Sequence, residues 1–128
     1  MYKRQHLLVN NQPITVTAKR VPKELPWKEL AVDVVIESTG RFTDRENASQ
    51  HVSAGAPRVV ISAPGKNADL TVVLGVNETA YDPASHSVIS NASCTTNCLA
   101  VVANVLLKRF GIDHGYICLL YTSPSPRD

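Results

Sequence analysis

One short segment carries residue types that together suit nucleophilic chemistry. Asn91-Ala-Ser-Cys-Thr-Thr-Asn-Cys98 places Cys94 at the expected start of an amphipathic helix. The unpaired N–H groups and positive dipole end of a helix lower the pKa of a thiol from its free value of about 8.5. The hydroxyls of Ser93, Thr95 and Thr96 crowd the same helix start, where a phosphate or an oxyanion binds readily. The segment therefore predicts acyl transfer through a thioester on Cys94.

The cysteines also allow other interpretations. A cysteine near a helix start is often only a small buried residue, and Cys98, one turn later, fits inert packing. Cys94 and Cys98 together would also suit a redox sensor in which Cys98 resolves an oxidised Cys94. No metal site is predicted, because no second pair of cysteines or histidines stands at ligand spacing. Cys118 receives no role.

Five β-branched runs predict the strands that must position this segment. The first run alternates apolar and polar residues and predicts a half-buried strand, whereas the second is nearly continuous and predicts a strand covered on both faces. The runs cover residues 14–18, 32–36, 58–62, 70–74 and 87–90.

Two helices are predicted between these strands and after them. A capping box from Thr43 to Glu46 predicts a helix through about Ala54 that ends at Gly55. A second helix is predicted over 95–110, before Gly111, because an apolar stripe recurs at helical spacing. The alternation of strands and helices predicts an α/β fold with a parallel sheet and right-handed crossovers. The stripe consists of Leu99, Ala103, Leu106 and Phe110.

Composition excludes several classes of protein. The 128 residues are 44% hydrophobic and carry a net charge of +2, which excludes a disordered tail. The basic residues are scattered, so no nucleic-acid partner is predicted. No apolar run reaches the length of a bilayer span, and no signal sequence stands at the start, so no membrane association and a cytoplasmic location are predicted. An odd number of cysteines, three, suits thiol chemistry better than a disulfide framework.

The cysteine segment resembles the active-site signature of the phosphorylating glyceraldehyde-3-phosphate dehydrogenases. Three further motifs are similar to the same family and occur in the same order: Glu37-Ser-Thr-Gly-Arg-Phe-Thr43, Gly55-Ala-Pro-Arg-Val-Val-Ile-Ser-Ala-Pro-Gly65 and Leu74-Gly-Val-Asn77. Aspartate-semialdehyde dehydrogenases share the Cys-Thr-Thr core but have different flanking residues. The resemblance runs from about His6 to Gly115, and it implies part of a doubly wound, Rossmann-type parallel sheet.

The resemblance also implies a reaction. Cys94 would attack the aldehyde of glyceraldehyde 3-phosphate, hydride would pass to NAD, and inorganic phosphate would cleave the thioester to 1,3-bisphosphoglycerate. Ser93 and Thr95 match positions that bind substrate and phosphate. NADP is an alternative cofactor, and erythrose-4-phosphate dehydrogenase is an alternative within the superfamily. The family implies a homotetramer for the full-length protein. The implied cofactor contacts are Arg20, Thr39, Gly40, Phe42 and Ser62.

Several positions depart from the family pattern. Val21 stands where an aspartate commonly follows the arginine, and no Gly-x-Gly-x-x-Gly dinucleotide turn occurs. Counted from Gly115, the family's Thr-Thr-x-His has Tyr121 in place of its histidine, and tyrosine, with a pKa near 10, is a poor base at neutral pH. We therefore expect this polypeptide to be inactive, and a non-catalytic nucleotide-binding fragment is an alternative. The four histidines, His6, His51, His86 and His114, are interpreted as surface or structural residues.

The motifs divide the chain into four parts. Residues 1–5 are expected to be a non-native leader, and residues 6–92 the later part of a dinucleotide-binding domain. Residues 93–116 would hold the active-site helix and the start of a substrate domain. Residues 117–128, with their Ser-Pro-Ser-Pro run, are expected to be a non-native tail.

Overall fold

A computed structural model describes residues 5–118, and they form two separate sheets. The first sheet is an antiparallel hairpin of β1, Gln5–Val9, and β2, Gln12–Val16. Asn10 and Asn11 join them with φ of 49° and 63°, the left-handed conformation that a two-residue hairpin turn requires. β2 is exposed along its whole length, so the prediction of a half-buried strand over 14–18 is wrong. Its alternating residues pair with β1 alone and belong to no parallel sheet.

The second sheet confirms the predicted α/β class. Four parallel strands lie in the order β3, β4, β6, β5, as in part of a Rossmann-type sheet. They are β3, Val34–Glu37; β4, Arg58–Ile61; β5, Leu70–Thr71; and β6, Val88–Ser90.

β5 is much shorter than the strand predicted over 70–74. The Asn77 side chain accepts a hydrogen bond from Val73 N at 2.8 Å and donates one to the Thr71 carbonyl at 2.9 Å. These two bonds turn the chain away from the sheet directly after β5. A local side-chain bond therefore competes with strand pairing here, which the apolar run alone did not indicate.

The first helix, α1, covers Arg45–Ser53 and ends before Gly55 as predicted. Its start differs from the predicted capping box. Asp44 is the N-cap and accepts a hydrogen bond from Asn47 N at 2.9 Å, so neither Thr43 nor Glu46 caps the helix. An aspartate is as strong an N-cap as a serine, and the chain uses the carboxylate that lies one residue further on.

The second helix, α2, covers Cys94–Phe110 and ends at Gly111. It begins one residue before the predicted start, and none of its residues is buried. Most of the predicted apolar stripe is therefore exposed: Phe110 is 82% exposed, Leu99 and Leu106 are exposed as well, and Ala103 is half-buried. Within residues 5–118, neither helix combines the length and the apolar character that crossing a membrane requires. Two short 3-10 turns, Pro22–Glu24 and Glu78–Ala80, complete the described elements.

The core lies on one face of the parallel sheet, against α1. Alternate residues of the strands point into it, so Val35 is buried while Ile36 is 70% exposed. The prediction that the second apolar run is covered on both faces is therefore wrong, because α1 packs against only one of them. The core residues are Val35, Ala48, Ala56, Val59, Ile61 and Val88.

Gly55 tightly joins the end of α1 to the Trp27–Lys28 segment. Its φ is +107°, and a Cβ built there would lie 2.6 Å from Lys28 Cβ. We expect Gly55→Ala to lower the free energy of unfolding by about 2–4 kcal/mol, through backbone strain and this overlap. Gly111→Ala is the control, because φ there is +74° but no atom lies within 4 Å of the new Cβ. Urea unfolding measures both losses of stability. Equal losses in the two variants would contradict the expected overlap with Lys28.

Asp69 holds the beginning of β6 to the beginning of α1. Its carboxylate accepts hydrogen bonds from Val88 N at 2.8 Å, from Ser87 N at 2.9 Å and from Arg45 Nε at 2.6 Å. Burial alone would raise the pKa of Asp69. The bonds from Arg45 and the two backbone groups outweigh that effect and lower the pKa from 3.8 to about 2.

This depressed pKa predicts how stability depends on pH. Because the folded pKa of Asp69 lies below its unfolded value, the carboxylate stabilises the fold above pH 3.8 and loses this effect as the pH falls through about 2. We expect Asp69→Asn to cost about 1–2 kcal/mol at neutral pH, allowing for solvent screening. Urea unfolding at several pH values should show the variant and the parent converge near pH 2. A difference that stays constant with pH would contradict this assignment, and Asp33→Asn, at an exposed carboxylate, is the control.

Candidate active site

The predicted site residues gather where three neighbouring strands end. Ser62 N donates a hydrogen bond to the Glu37 carbonyl at 3.0 Å, and Asn91 N donates one to the Ile61 carbonyl at 2.9 Å. The turns that follow β3, β4 and β6 therefore lie side by side, with neighbouring strands about 4.8 Å apart. Open α/β sheets bind ligands at this carboxyl edge.

Cys94 lies at the first position of α2 and is exposed. Ser93 is the N-cap, and its hydroxyl accepts a hydrogen bond from Thr96 N at 3.0 Å. Thr95 Oγ1 lies 4.0 Å from Cys94 Sγ. The thiol is therefore accessible, next to a hydroxyl and at the N-terminus of a 17-residue helix.

The other two described cysteines are exposed as well. Cys98, one turn along α2, contradicts the prediction of inert packing, because the described chain does not cover this helix. Cys118 is exposed and lies at the end of the described residues, while Tyr121 lies outside them. Residues 5–118 contain no group of three or more histidine, cysteine, aspartate or glutamate residues that could hold a metal ion.

Ser90, at the end of β6, joins the turn before Cys94 to the loop after β4. Its side chain is fully buried. The hydroxyl donates a hydrogen bond to the Ala63 carbonyl at 2.8 Å and accepts bonds from Gly65 N at 2.9 Å and Ala92 N at 3.1 Å. Sequence reasoning assigned Ser90 only to a strand. Its one usable signal was a serine at the last position of a buried run.

Ala92 has a φ of +59°, a left-handed conformation that is strained for alanine. Asn97 braces the same turn, because its side-chain amide donates to the Asn91 carbonyl at 2.8 Å and to the Ser93 carbonyl at 2.9 Å. The asparagine lies on α2 one turn after the N-cap. It therefore holds the turn from the helix side, as Ser90 does from the sheet side.

The turn after β3 contains the predicted cofactor residues. Thr39 N donates to Glu37 Oε1 at 2.8 Å, and the Thr39 hydroxyl donates to the same oxygen. Gly40 is exposed with a φ of +72°, and no atom lies within 4 Å of the place where a Cβ would stand. Phe42 is half-buried and meets the His51 ring edge-on, with centroids 6.4 Å apart. The turn thus has an accessible backbone at Gly40 and a packed aromatic side chain at Phe42.

A buried polar chain supports this turn. His51 Nε2 lies 3.0 Å from Glu37 Oε2, and Trp27 Nε1 donates to His51 Nδ1 at 3.0 Å. Burial would raise the pKa of Glu37, but the hydrogen bonds from Thr39 and His51 outweigh it and hold the pKa below its usual value.

His51 belongs to the structural class predicted for the histidines, but its partners were not predicted. Its position three residues after Ala48, on the core face of α1, was the available signal. His86 is half-buried, where it accepts a bond from Asp82 N, and His114 is exposed. The side chain of His6 lies outside the described part of the chain.

The structure thus brings together most of the predicted cofactor and nucleophile positions. Arg20 is exposed between β2 and the first 3-10 turn, and among residues 5–118 no hydrogen bond or ion pair joins it to the turn after β3. Ser62 is exposed directly after β4. The residues on the shared edge are Thr39, Gly40, Phe42, Ser62, Ser93, Cys94 and Thr95.

Comparison with known proteins identifies the family. Residues 1–45 match the family model described as glyceraldehyde 3-phosphate dehydrogenase, NAD binding domain, and residues 93–127 match the C-terminal domain of the same family. The chain is 56% identical over 117 residues to glyceraldehyde-3-phosphate dehydrogenase of Geobacillus stearothermophilus. The aligned region covers 91% of this chain and 35% of the relative.

Two further relatives agree. The enzyme of that name from Kitasatospora aureofaciens is 52% identical over 90% of this chain and 35% of its own length. Glyceraldehyde-3-phosphate dehydrogenase 1 of Bacillus subtilis is 51% identical over 91% of this chain and 35% of its own length. The chain therefore spans about a third of the length of these relatives. Both matched domains and these identities show that this chain belongs to the glyceraldehyde-3-phosphate dehydrogenase family.

Proposed function

We propose that this chain carries the nucleophile and part of the cofactor site of a phosphorylating glyceraldehyde-3-phosphate dehydrogenase. One observation carries the proposal. The exposed thiol of Cys94 stands at the start of α2, on the same sheet edge as the open turn at Thr39 and Gly40. Nucleophile and cofactor turn are separated along the edge only by β4.

Cys94 would act on the aldehyde carbon of glyceraldehyde 3-phosphate. Its thiolate would form a C–S bond to that carbon as the C=O π bond breaks, and the former carbonyl oxygen of the resulting thiohemiacetal, now an oxyanion, would lie near the free N–H groups of the first turn of α2. After oxidation to the thioester, a phosphate oxygen attacks the acyl carbon. The C–S bond then breaks, which releases 1,3-bisphosphoglycerate and returns the thiolate. The Thr95 hydroxyl stands 4.0 Å from the sulfur, and Ser93 directly precedes Cys94 as the N-cap; both hydroxyls would bind the substrate and the phosphate.

The residues present fit the adenosine side of NAD, which when bound supplies the hydride acceptor for the oxidation. Gly40 leaves its backbone open to close approach, and Phe42 supplies an apolar ring that is held in a T-shaped contact with the His51 ring. Ser62 adds an exposed hydroxyl on the adjacent turn. NADP and the substrate erythrose 4-phosphate stay alternatives within this proposal.

Alkylation kinetics test the nucleophile. We expect iodoacetamide at about pH 6 to modify Cys94 about tenfold faster than Cys98, because only Cys94 lies at the N-terminus of the helix. Cys98 is exposed on the same helix and is an internal control. Peptide mapping by mass spectrometry gives both rates, and Cys94→Ser should remove the fast phase alone. Equal rates at the two cysteines would reject an activated nucleophile.

The 128-residue polypeptide itself is proposed to have no dehydrogenase turnover. Tyr121 stands at the position of the family's histidine base, and the dinucleotide turn is absent from this sequence. We expect no NADH formation above background with glyceraldehyde 3-phosphate, phosphate and NAD. A rate above that of Cys94→Ser would contradict the expectation.

The exposure of Cys98 favours a second candidate function, a thiol redox module. Residues one helical turn apart have Cα atoms about 6 Å apart, which is within disulfide range, but their Cβ atoms lie about 5–6 Å apart, beyond the roughly 4.5 Å that a disulfide allows. The first turn of α2 would therefore have to unwind for Cys94 and Cys98 to form a disulfide. Peroxide would oxidise Cys94 to a sulfenic acid, and the Cys98 thiol would displace water to form the disulfide. Intact mass spectrometry after peroxide treatment should then show the loss of two hydrogens, and Cys98→Ser should instead retain an added oxygen.

A further inference from the structure

We infer that Glu37 and His51 are positioning residues for the cofactor turn at residues 39–42, and that Trp27 sets the direction of the hydrogen bonds through them. This inference rests on the proposed NAD site and deepens it. Glu37, His51 and Trp27 lie outside the turn, and they would stabilise the backbone that the cofactor contacts.

The direction of the hydrogen bonds follows from the donors. The indole N–H of Trp27 can only donate, so His51 Nδ1, 3.0 Å away, must accept. The imidazole is therefore neutral with its proton on Nε2, and it donates to Glu37 Oε2 at 3.0 Å. Glu37 Oε1 takes the two donors of Thr39. Each hydrogen bond of this network is therefore donated in the direction of the Glu37 carboxylate.

Burial makes this direction costly to change. Glu37 is 3% exposed and His51 is 4% exposed, so little water reaches these two side chains. Among the described side chains, no buried nitrogen or oxygen lacks a hydrogen-bond partner. Bonds in such a low-dielectric network are strong when complete, and a mismatched donor pair inside it is correspondingly unfavourable.

The network meets the turn at two points. Glu37 binds both the backbone N–H and the hydroxyl of Thr39, and the His51 and Phe42 rings form a T-shaped contact with an interplanar angle of 90°. Gly40 lies between these points and is exposed. The turn is thus held from the protein side at both ends, while its middle stays open.

The Glu37→Gln variant tests whether the hydrogen bonds from residue 37 to His51 and Thr39 depend on the Trp27 N–H. If the new amide oxygen keeps Thr39, its NH2 group faces His51 Nε2, which must then accept. The proton of His51 would move to Nδ1, where two hydrogen-bond donors, this N–H and the Trp27 N–H, would face each other. If the amide flips instead, its NH2 group faces the Thr39 N–H. Adding Trp27→Phe removes the opposing donor and lets His51 adopt the other tautomer, so the double variant should recover the bonds to Thr39.

NMR on the 128-residue chain tests the inference. In the parent, the imidazole nitrogen shifts of His51 should show the proton on Nε2, a measurement that needs no variant. In Glu37→Gln, hydrogen exchange at the Thr39 amide should rise about tenfold relative to the Val59 amide of β4, the control. The double variant should return it to within about threefold of Trp27→Phe alone. A proton on Nδ1 in the parent, an equal rise at both amides, or no recovery would overturn the inference.

NAD binding separates this inference from the proposed function. We expect calorimetry with NAD to give an affinity about tenfold weaker for Glu37→Gln than for the parent, restored in the double variant. Unchanged affinity in Glu37→Gln would overturn the link between the network and the cofactor. If the parent does not bind NAD, the proposed NAD site of this chain is rejected, and the tautomer and exchange measurements alone uphold or reject the positioning of the turn.

Discussion

Ser90→Ala is expected to lower the free energy of unfolding by about 3–5 kcal/mol, because it removes the hydrogen-bond partner of one buried and two half-buried backbone groups. Gly65 N and Ala92 N each lose their acceptor, and the Ala63 carbonyl loses its donor. A loss of this size is a large fraction of the stability of a small domain. The alanine methyl group cannot replace any of these bonds, and the Ser90 side chain is fully buried.

Ser87→Ala is the matched control for this variant. The Ser87 hydroxyl makes one bond of 3.2 Å to Asp69, whose carboxylate keeps its backbone donors when that hydroxyl is removed. We expect urea unfolding to show a loss below about 1 kcal/mol for the control. In Ser90→Ala, iodoacetamide should also modify Cys94 more slowly in the folded fraction, since the turn before Cys94 loses its anchor. Similar losses in both variants would contradict the role of Ser90.

The second large effect concerns the two isoleucines of adjacent strands. Ile61 is completely buried, and Ile36, on β3, is 70% exposed. Truncating a buried isoleucine to alanine costs about 2–5 kcal/mol through lost transfer energy and the cavity that forms. Ile61→Ala should therefore be strongly destabilising. Ile36→Ala removes the same atoms from a largely exposed position and should cost below about 1 kcal/mol.

Urea unfolding of both isoleucine variants checks the one-sided burial of the sheet. The chemical deletion is identical, so the difference between the two losses measures the environment alone. If Ile36→Ala cost as much as Ile61→Ala, the exposed face of β3 would have to be covered in solution. That outcome would contradict the arrangement in which α1 packs on only one face.

Local signals were sufficient for the helices and for the position of the nucleophile. The start of α2 was predicted to within one residue, because its cap is a bond between Ser93 and Thr96, three residues apart. The strands of the parallel sheet were found by their β-branched composition, but their lengths were not. The length of β5 was overestimated because the Asn77 side chain forms hydrogen bonds with the backbone of Thr71 and Val73. The hydrophobicity of the run does not indicate this competition with strand pairing.

Burial was predicted less well than secondary structure. Runs 32–36 and 58–62 have similar composition, yet the exposure of Ile36 and the burial of Ile61 follow from the single face that α1 covers. The strand over 14–18 has an alternating pattern typical of half-burial. Its pairing with β1 in an isolated hairpin leaves it exposed instead, and pairing is a property of the whole chain.

The sequence by itself determined the family, the α/β class and the place of Cys94 at a helix start, because each depends on motifs or on contacts a few residues apart. Only the tertiary structure decided what supports the site. Ser90 meets Gly65 across 25 positions, and His51 meets Trp27 across 24 and Glu37 across 14. Such pairs depend on the strand order β3, β4, β6, β5 and on the face that α1 covers, and no local pattern encodes either.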